Sequence, residues 1–345
     1  MIHKKDVEQD FSCIASLADV IVRLQDSCGD IPWHEGGKTD PWDLVESAMG
    51  LAVAGQYSRA NMAFQWLAAK QNSDGSWFSS YINGKPEDTT CQSHMACYLA
   101  VGLFHLYLIT KDTEMLHTYW PCMEKGIGFA LKLQTGSGEI YWARSPQGKV
   151  DPMCLLAASS SIFISLKCAL SIAWILGKEK DSWKNALAAL GESIRHNPQA
   201  YNLSKSRFSM YWFYPVLCGA VQGKQAEDRI RRHWATYVRE GQGVCCVSDQ
   251  PWITIAETCE LILTLCAMGR RDKAAMVFSW IQSKVYEDNT FWCGYTLPDM
   301  KIWPEEKFSW TNAAGIMAMD ALYEGTDASR LFSHWAWDGW RYKEL

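Results

Sequence analysis

KLQTGSGEIYWAR, residues Lys132–Arg144, ends a helix on a Gln, turns on glycine and places a carboxylate, Glu139, just past the turn. It then runs into a short extended piece carrying Trp142. The same design returns at RLQDSCGDIPW (Arg23–Trp33), AKQNSDGSW (Ala69–Trp77) and, more loosely, WIQSKVYEDNTFW (Trp280–Trp292). EGQGVCCVSD (Glu240–Asp249) keeps the Gln and Gly without the Trp. A helix–turn–rim unit repeated along a chain implies a closed or stacked array of hairpins, because one unit cannot bury its apolar face alone.

Between the repeats, apolar residues recur at i, i+3, i+4 and i+7. That spacing predicts helices at 5–26, 41–55, 57–71, 91–110, 112–134, 154–177, 180–196, 209–222, 224–239, 252–269, 271–286 and 308–324. Asp112 and Asp181 fit as N-caps, Gly55, Gly177 and Gly269 as C-terminal glycines, and Pro41 as a first-turn proline. The second, fourth, sixth, eighth, tenth and twelfth helices are small and apolar nearly all round, as in AASSSIFISLKCALSIAWILG. The others, such as KQAEDRIRRHWATYVRE, carry one apolar stripe and a charged face. Six buried helices ringed by six amphipathic ones make an all-α (α/α)6 toroid. Short glycine turns (Gly55–Gln56, Gly269–Arg270) would join inner to outer helices. The longer Trp-bearing loops then gather on the opposite rim, where function is expected. No linker interrupts the pattern, which gives a toroid over 1–325 with 326–345 as a tail packed on it.

Composition excludes several function classes. The 345 residues are 48% hydrophobic and 21% charged, as in a globular protein, and a net charge of −5 offers no basic face to nucleic acid. MIHKKDVEQDF has no apolar signal core, and even Leu155–Leu176 is broken by Ser and Lys, so neither secretion nor a membrane span is expected. The thirteen Cys form no C-x-x-C pair and sit largely in apolar helical runs, as reduced core thiols of a cytoplasmic protein would. The eight His are scattered, with none spaced with Cys as a metal ligand, and there is no P-loop or dinucleotide fingerprint. No metal and no cofactor are expected.

The predicted rim carries the carboxylates Asp40, Asp43, Glu46, Glu87, Asp88, Glu139, Asp151, Asp249, Glu257, Asp299, Glu305 and Glu306. Among them lie Trp33, Trp42, Trp77, Tyr81, Trp142, Tyr211, Trp212, Tyr214, Trp252, Trp292, Tyr295 and Trp303. Acids accept hydroxyl protons and indoles stack on the apolar faces of sugar rings, so this mouth suits a neutral polyhydroxy ligand. Asp43, Asp88 and Glu257 serve equally as caps of inner-helix N-termini, where the helix dipole favours negative charge. Lys205 and Arg207, in SKSRFSMYWFYP, either bind an anionic group of the ligand or pair with rim acids. Ser159–Ser161 has no His or Asp placed to activate it, and His94 and His105 read as core residues.

PWDLVESAMGLAVAGQYSRANMAFQWLAAKQNSDGSW, YLITKDTEMLHTYWPCMEKGIGFALKLQ, GEIYWAR, SSSIFISLKCALSIAWILG, AETCELILTLCAMGRRDKAAMVFSWI and WPEEKFSWTNAAGIMAMDAL follow one another in an order that resembles the six-hairpin glycosidases. The nearest resemblance is to glycoside hydrolase family 15 (glucoamylases, bacterial trehalases, dextran glucosidases). It implies that Asp43 binds the sugar in the cleaved subsite and that Glu305 or Glu306, ahead of the last inner helix, is the general base, with Glu306 nearer the helix start. The family's general acid follows the Trp of an Ile/Leu-Trp-Glu motif, where this chain has Ala143, so either Glu139 takes the acid's place or acid catalysis of the family's kind is lost. An inverting pair, Glu139 and Glu306, would stand roughly 6.5–9.5 Å apart across a small or modified saccharide. Desolvation in a Trp-lined pocket would raise the acid's pKa. Asp43, Trp42, Asp88, Trp142, Arg144, Arg207, Tyr211, Asp249, Trp252, Glu257, Trp303 and Glu305 are the expected substrate contacts. The family's N-terminal β-sandwich is missing, which opens the mouth or frees a surface for a homodimer. QNSDGSW also resembles, more weakly, the QW repeat of terpene cyclases and prenyltransferase toroids. PEDTT (Pro86–Thr90) offers only Glu87 and Asp88 toward their acidic cluster. A terpenoid-handling or purely sugar-binding toroid is the alternative.

Overall fold

A computed structural model describes residues 4–344, with backbone alone for 4–12; Met1–His3 of the N-terminal segment and Leu345 of the tail lie outside the described residues. Twelve α-helices appear among them. They are α1 (Lys4–Leu24), α2 (Pro41–Val53), α3 (Tyr57–Lys70), α4 (Ser93–Thr110), α5 (Thr113–Leu131), α6 (Leu156–Ile175), α7 (Asp181–His196), α8 (Ser209–Leu217), α9 (Gly223–Tyr237), α10 (Ile255–Ala267), α11 (Arg271–Ile281) and α12 (Ser309–Tyr323). Each even-numbered helix packs on the next, and α12 closes the ring onto α2. Outside them α3 lies on α2, α5 on α4, α7 on α6, α9 on α8, α11 on α10 and α1 on α12. This is the (α/α)6 toroid. Helices buried on all sides carry no polar face, whereas α7 and α9 keep a charged side for water.

Several helix boundaries differ from the sequence expectation: the fifth helix ends at Leu131 ahead of residue 134 and the eleventh at Ile281 ahead of residue 286. The eighth helix stops at Leu217, ahead of residue 222, where Gly219 takes a φ of 72° that ends the helix. The tenth starts at Ile255 because Trp252–Thr254 is a strand. All the rim strands lie on outer-to-inner connections. β1 (Tyr81–Ile82) and β2 (Lys85–Pro86) form a hairpin, and β3 (Cys91–Gln92), β4 (Ala143–Arg144) and β5 (Val150–Asp151) form a sheet in that order. β6 (Val238–Arg239), β7 (Gly243–Cys245), β8 (Trp252–Thr254) and β9 (Gly294–Thr296) form another. Pairing Cys91 with Arg144, and Trp252 with Thr296, stitches neighbouring loops into a continuous rim.

The repeated Gln–Gly turn has a mechanical role. Gln71 Nε2 donates to the carbonyls of Gly75 (3.0 Å) and of Cys122 on α5 (2.8 Å). Gln134 does the same to Gly138 (2.9 Å) and Ala186 on α7 (3.0 Å), and Gln25 reaches Arg59 on α3 at 2.9 Å. Each Gln thus closes its own turn and staples it to the following outer helix. The glycines let the backbones approach: a Cβ at Gly29, Gly75 or Gly138 would sit on the carbonyl of Met62, Lys125 or Ala189, and each glycine has a positive φ. Gly75→Ala is therefore expected to cost about 2–4 kcal/mol, from left-handed strain plus overpacking against a backbone that cannot yield. A Tm equal to that of the wild type in thermal melts would refute this account of the motif.

By length and composition α4 and α6 could each cross a membrane, unlike the sequence expectation, but 78% and 94% of their apolar windows are buried inside the barrel. The segment 326–344 folds across the end of the ring away from the rim. It holds two short 3-10 turns and the hairpin β10 (Trp337–Asp338) with β11 (Arg341–Tyr342), and it sets Trp337 and Tyr342 against Phe104 of α4.

Candidate active site

Inner helices start at the rim, so acids in their first turns point down the axis. Asp40 caps α2, accepting from the backbone N–H of Trp42 (2.8 Å) and Asp43 (2.9 Å) and from Trp33 Nε1 (2.8 Å). One turn of α2 then presents Asp43 and Glu46, and one turn of α10 presents Glu257 and Glu260; both helices neighbour α12 in the ring. Residues three apart share a helix face, and the two helices bring the four carboxyls close enough that Asp43 feels Glu46 and Glu260, Glu46 feels Glu257, and Glu260 feels Glu46 and Glu257.

Their partners differ. Glu46 accepts from Trp42 Nε1 (2.6 Å) and the Tyr98 hydroxyl (3.0 Å), and Glu260 accepts from the Tyr214 hydroxyl. Trp42 stacks on Tyr98 (centroids 4.6 Å apart), meets His94 edge-on (5.0 Å) and leans on Tyr214 (5.8 Å). Glu257 Oε2, by contrast, is buried without a hydrogen-bond partner. The Cys246 thiol faces the Glu257 carboxylate, and burial together with that carboxylate pushes the thiol up. The Asp43 carboxyl is driven well above the usual range by burial first, then by the like charges of Asp40 and Glu46. Burial and the charges of Glu46 and Glu257 raise Glu260 as well. Glu46 is pushed up to about 7 by burial, against the lowering hydrogen bonds from Trp42 and Tyr98. Asp43, Glu46 and Glu260 thus all hold their protons to higher pH than ordinary carboxyls, as an acid catalyst requires.

This storage has a cost in stability. Above the ordinary Glu value of 4.5 the unfolded chain releases the Glu46 proton, while the folded chain keeps it until about 7. The contribution of Glu46 is whole below 4.5 and is lost as pH rises through about 7. Glu46→Gln keeps an acceptor for Trp42 and Tyr98 without titrating. Its Tm should fall less than that of the wild type between about pH 5 and about pH 8. An equal or steeper fall would show that Glu46 is not the strained group.

The structure places the other sequence-predicted residues as follows. Glu139 does not enter the cavity: its carboxylate accepts from Ser137 (2.7 Å) and from Ser193 of the outer helix α7 (3.3 Å), and those hydroxyls help hold its pKa down. Its turn is the outer-helix staple, so it does not face Glu306. Glu305 and Glu306 are exposed at the rim. The Glu305 carbonyl accepts from Tyr286 (2.6 Å), and Glu306 lies in electrostatic range of Cys293, which also feels Glu257. Trp42 and Tyr211 line an apolar cavity of about 280 Å³ with His94, Leu156, Phe208 and Met210. Trp142 lines a separate groove of about 450 Å³ beside Thr90, Lys149 and Asp151. Arg144 is taken up in an ion pair with Asp74 and lies over Phe129, and Arg207 pairs with Asp249 at 2.6 Å in the open. Asp88 is exposed and caps Thr90 (2.9 Å). Trp252 bonds the Trp303 carbonyl at 2.9 Å and meets that ring edge-on. Glu260 went unassigned from sequence, and His94, expected in the core, is buried. His94 lines the cavity with Nδ1 unpartnered, its pKa lowered by burial to about 3, so it enters the site as a neutral imidazole.

No protein-family model matches the chain. Over 315 residues it is 43% identical to the MMP endo-(1,4)-3-O-methyl-α-D-mannosidase of Mycolicibacterium hassiacum, spanning 91% of this chain and 87% of that protein. The GH63 mannosylglycerate hydrolase from Thermus thermophilus, in complex with Tris, superposes with a TM-score of 0.73 at 11% identity, over 88% of this chain and 99% of that one. A D-mannose isomerase superposes with a TM-score of 0.69 at 10% identity, over 93% and 98%. A hydrolase and an isomerase on one toroid make the solved structures evidence of fold, while function follows the site and the closer relative. The chain is a glycoside hydrolase, and it belongs to the family of the M. hassiacum mannosidase.

Proposed function

We propose that this glycoside hydrolase cuts α-(1,4) linkages inside chains of O-methylated mannose, with inversion, using Asp43 as general acid and Glu257 as general base. The cluster of four carboxyls that feel one another's charge is the observation that carries the assignment. Glu46 and Glu260 are tied to aromatic donors, whereas Glu257 Oε2 has no hydrogen-bond partner and Asp43 has its side-chain hydrogen bond with the neighbouring carboxyl of Asp40, so these two are the acids assigned to the substrate. Asp43, kept protonated by its surroundings, gives its proton to the glycosidic oxygen as the C1–O bond breaks. Glu257 takes a proton from a water that attacks C1 on the opposite face. The products are a β-hemiacetal and a free 4-hydroxyl, and both carboxyls exchange a proton with solvent to reset. The apolar wall of Trp42, Phe208, Met210 and Leu156 suits a sugar whose hydroxyl is capped by methyl, because a methyl ether brings no donor that would go unpaired there. The name of the curated relative supports the methylated mannoside.

An α-(1,4)-linked oligosaccharide of 3-O-methylmannose tests this. Early products of intermediate length, with the β-anomer appearing first by NMR, are expected. First formation of the α-anomer would overturn inversion, and release of monosaccharide alone would overturn internal cleavage. The finer kinship to family 15, a cytoplasmic setting and pairing with a second copy belong to the same proposal. The thirteen free cysteines support the setting.

A further inference from the structure

We propose that the end of the barrel away from the rim holds a second binding site, where Lys167 and Arg195 receive the phosphate or carboxylate group of a small molecule. Lys167 lies on α6 eleven residues after its first, Leu156, hence roughly 16 Å down the helix from the rim. It is 2% exposed, yet it forms part of the wall of a cavity of about 370 Å³. The rest of the wall is Phe163, Arg195, Gly219 with Ala220, Gln222 with Gln225, and Trp337 with Gly339 from the C-terminal tail. None of these is a carboxylate.

Among the described residues the ammonium has neither a hydrogen-bond acceptor nor an ion-pair partner. Its recorded neighbours are the faces of Trp337 (4.3 Å to the centroid) and Phe163 (5.9 Å). Arg195 gives Nη1 to the Ala220 carbonyl (3.1 Å) and faces Glu192 at 3.7 Å from an exposed position, so much of its fork is uncommitted. The other titratable groups around Lys167 are the thiols of Cys168 and Cys218 and the His334 ring, whose Nε2 is taken by the Val216 carbonyl (2.7 Å). None supplies a fixed negative charge. A buried cation without a counter-charge is costly, and burial accordingly lowers the Lys167 pKa to about 7. An anion seated between Lys167 and Arg195 would remove that cost. Gly219 leaves the ammonium open, since a Cβ there would come within 4.0 Å of Nζ. The two aromatic walls then admit an organic anion rather than a bare ion in bulk water.

The test uses the full-length protein with two probes, inorganic phosphate and succinate. Lysines are labelled with acetic anhydride near neutral pH, and each site is read by mass spectrometry. Lys167 should label faster than the surface lysines, and one or both probes should slow it at least about fivefold without changing Lys224 or Lys273. Arg195→Gln should raise the probe concentration that gives half of that protection about tenfold, the loss expected for one charge-assisted hydrogen bond. Protection by phosphate alone or by succinate alone fixes the anion class. Equal protection of all lysines, or undiminished protection in Arg195→Gln, would overturn the site, as would no protection by either probe. Lys167→Met adds a second reading if it folds: neither probe should then raise its Tm.

Discussion

Glu257→Gln is expected to lower kcat on a methylated α-(1,4)-mannoside by about 10²–10⁴-fold with little change in KM, because general-base assistance acts in the transition state and not in binding. The substitution is nearly isosteric and replaces a carboxylate whose Oε2 has no hydrogen-bond partner. The barrel should therefore fold as before, which circular dichroism checks. Gln cannot take the proton of the attacking water. Azide needs no such help, so adding it should restore turnover of a substrate with a good leaving group and give a β-glycosyl azide. Restoration with an α-azide product would mean a retaining double displacement. A loss below about tenfold would place the base elsewhere. Glu306 would be next, since its charge and that of Glu257 both raise the Cys293 thiol.

The toroid was legible because its rules are local. Small and apolar residues nearly all round α4 and α6 admit no exposed face, and the glycine turns alternate with the long loops in strict order. The site was legible only in part. Asp43 and Glu257 were picked out as substrate contacts, but the repeated turn drew the catalytic role to Glu139. Sequence cannot tell on which side of a turn its carboxylate ends, and here the Gln134 staple and Ser193 hold it against α7. A better signal was present: acids three apart, Asp43 with Glu46 and Glu257 with Glu260, inside helices otherwise almost wholly apolar. Charge at that spacing in a buried helix needs a cavity to face. Trp252–Thr254 was hidden for another reason. Its apolar run adjoins a helix, and its strand state depends on partners at 243–245 and 294–296 that no local pattern announces.

Asp43→Asn should separate the acid from the base. On a mannoside whose leaving group is another sugar, kcat should fall by about 10²–10⁴-fold, since the departing oxygen then leaves without its proton. An aryl mannoside with an acidic phenol departs unaided, so much of its rate should survive in Asp43→Asn and little in Glu257→Gln. The pH profile gives an independent reading. Burial and the charges of Asp40 and Glu46 raise the Asp43 pKa, so the acid form persists well above the ordinary carboxyl range and activity is lost as pH rises through the shifted value. That alkaline limb should be present in the wild type acting on the mannoside with a sugar leaving group and absent from the aryl mannoside profile of Asp43→Asn. Glu46 is the rival proton donor, with its own value near 7. However, its Oε1 accepts from both Trp42 and Tyr98, and these hydrogen bonds favour the ionised form, which makes Glu46 the less ready proton donor. If Glu46→Gln removes the limb and spares the aryl substrate while Asp43→Asn leaves the limb in place, the acid is Glu46. Asp43 would then be the residue that raises the Glu46 pKa.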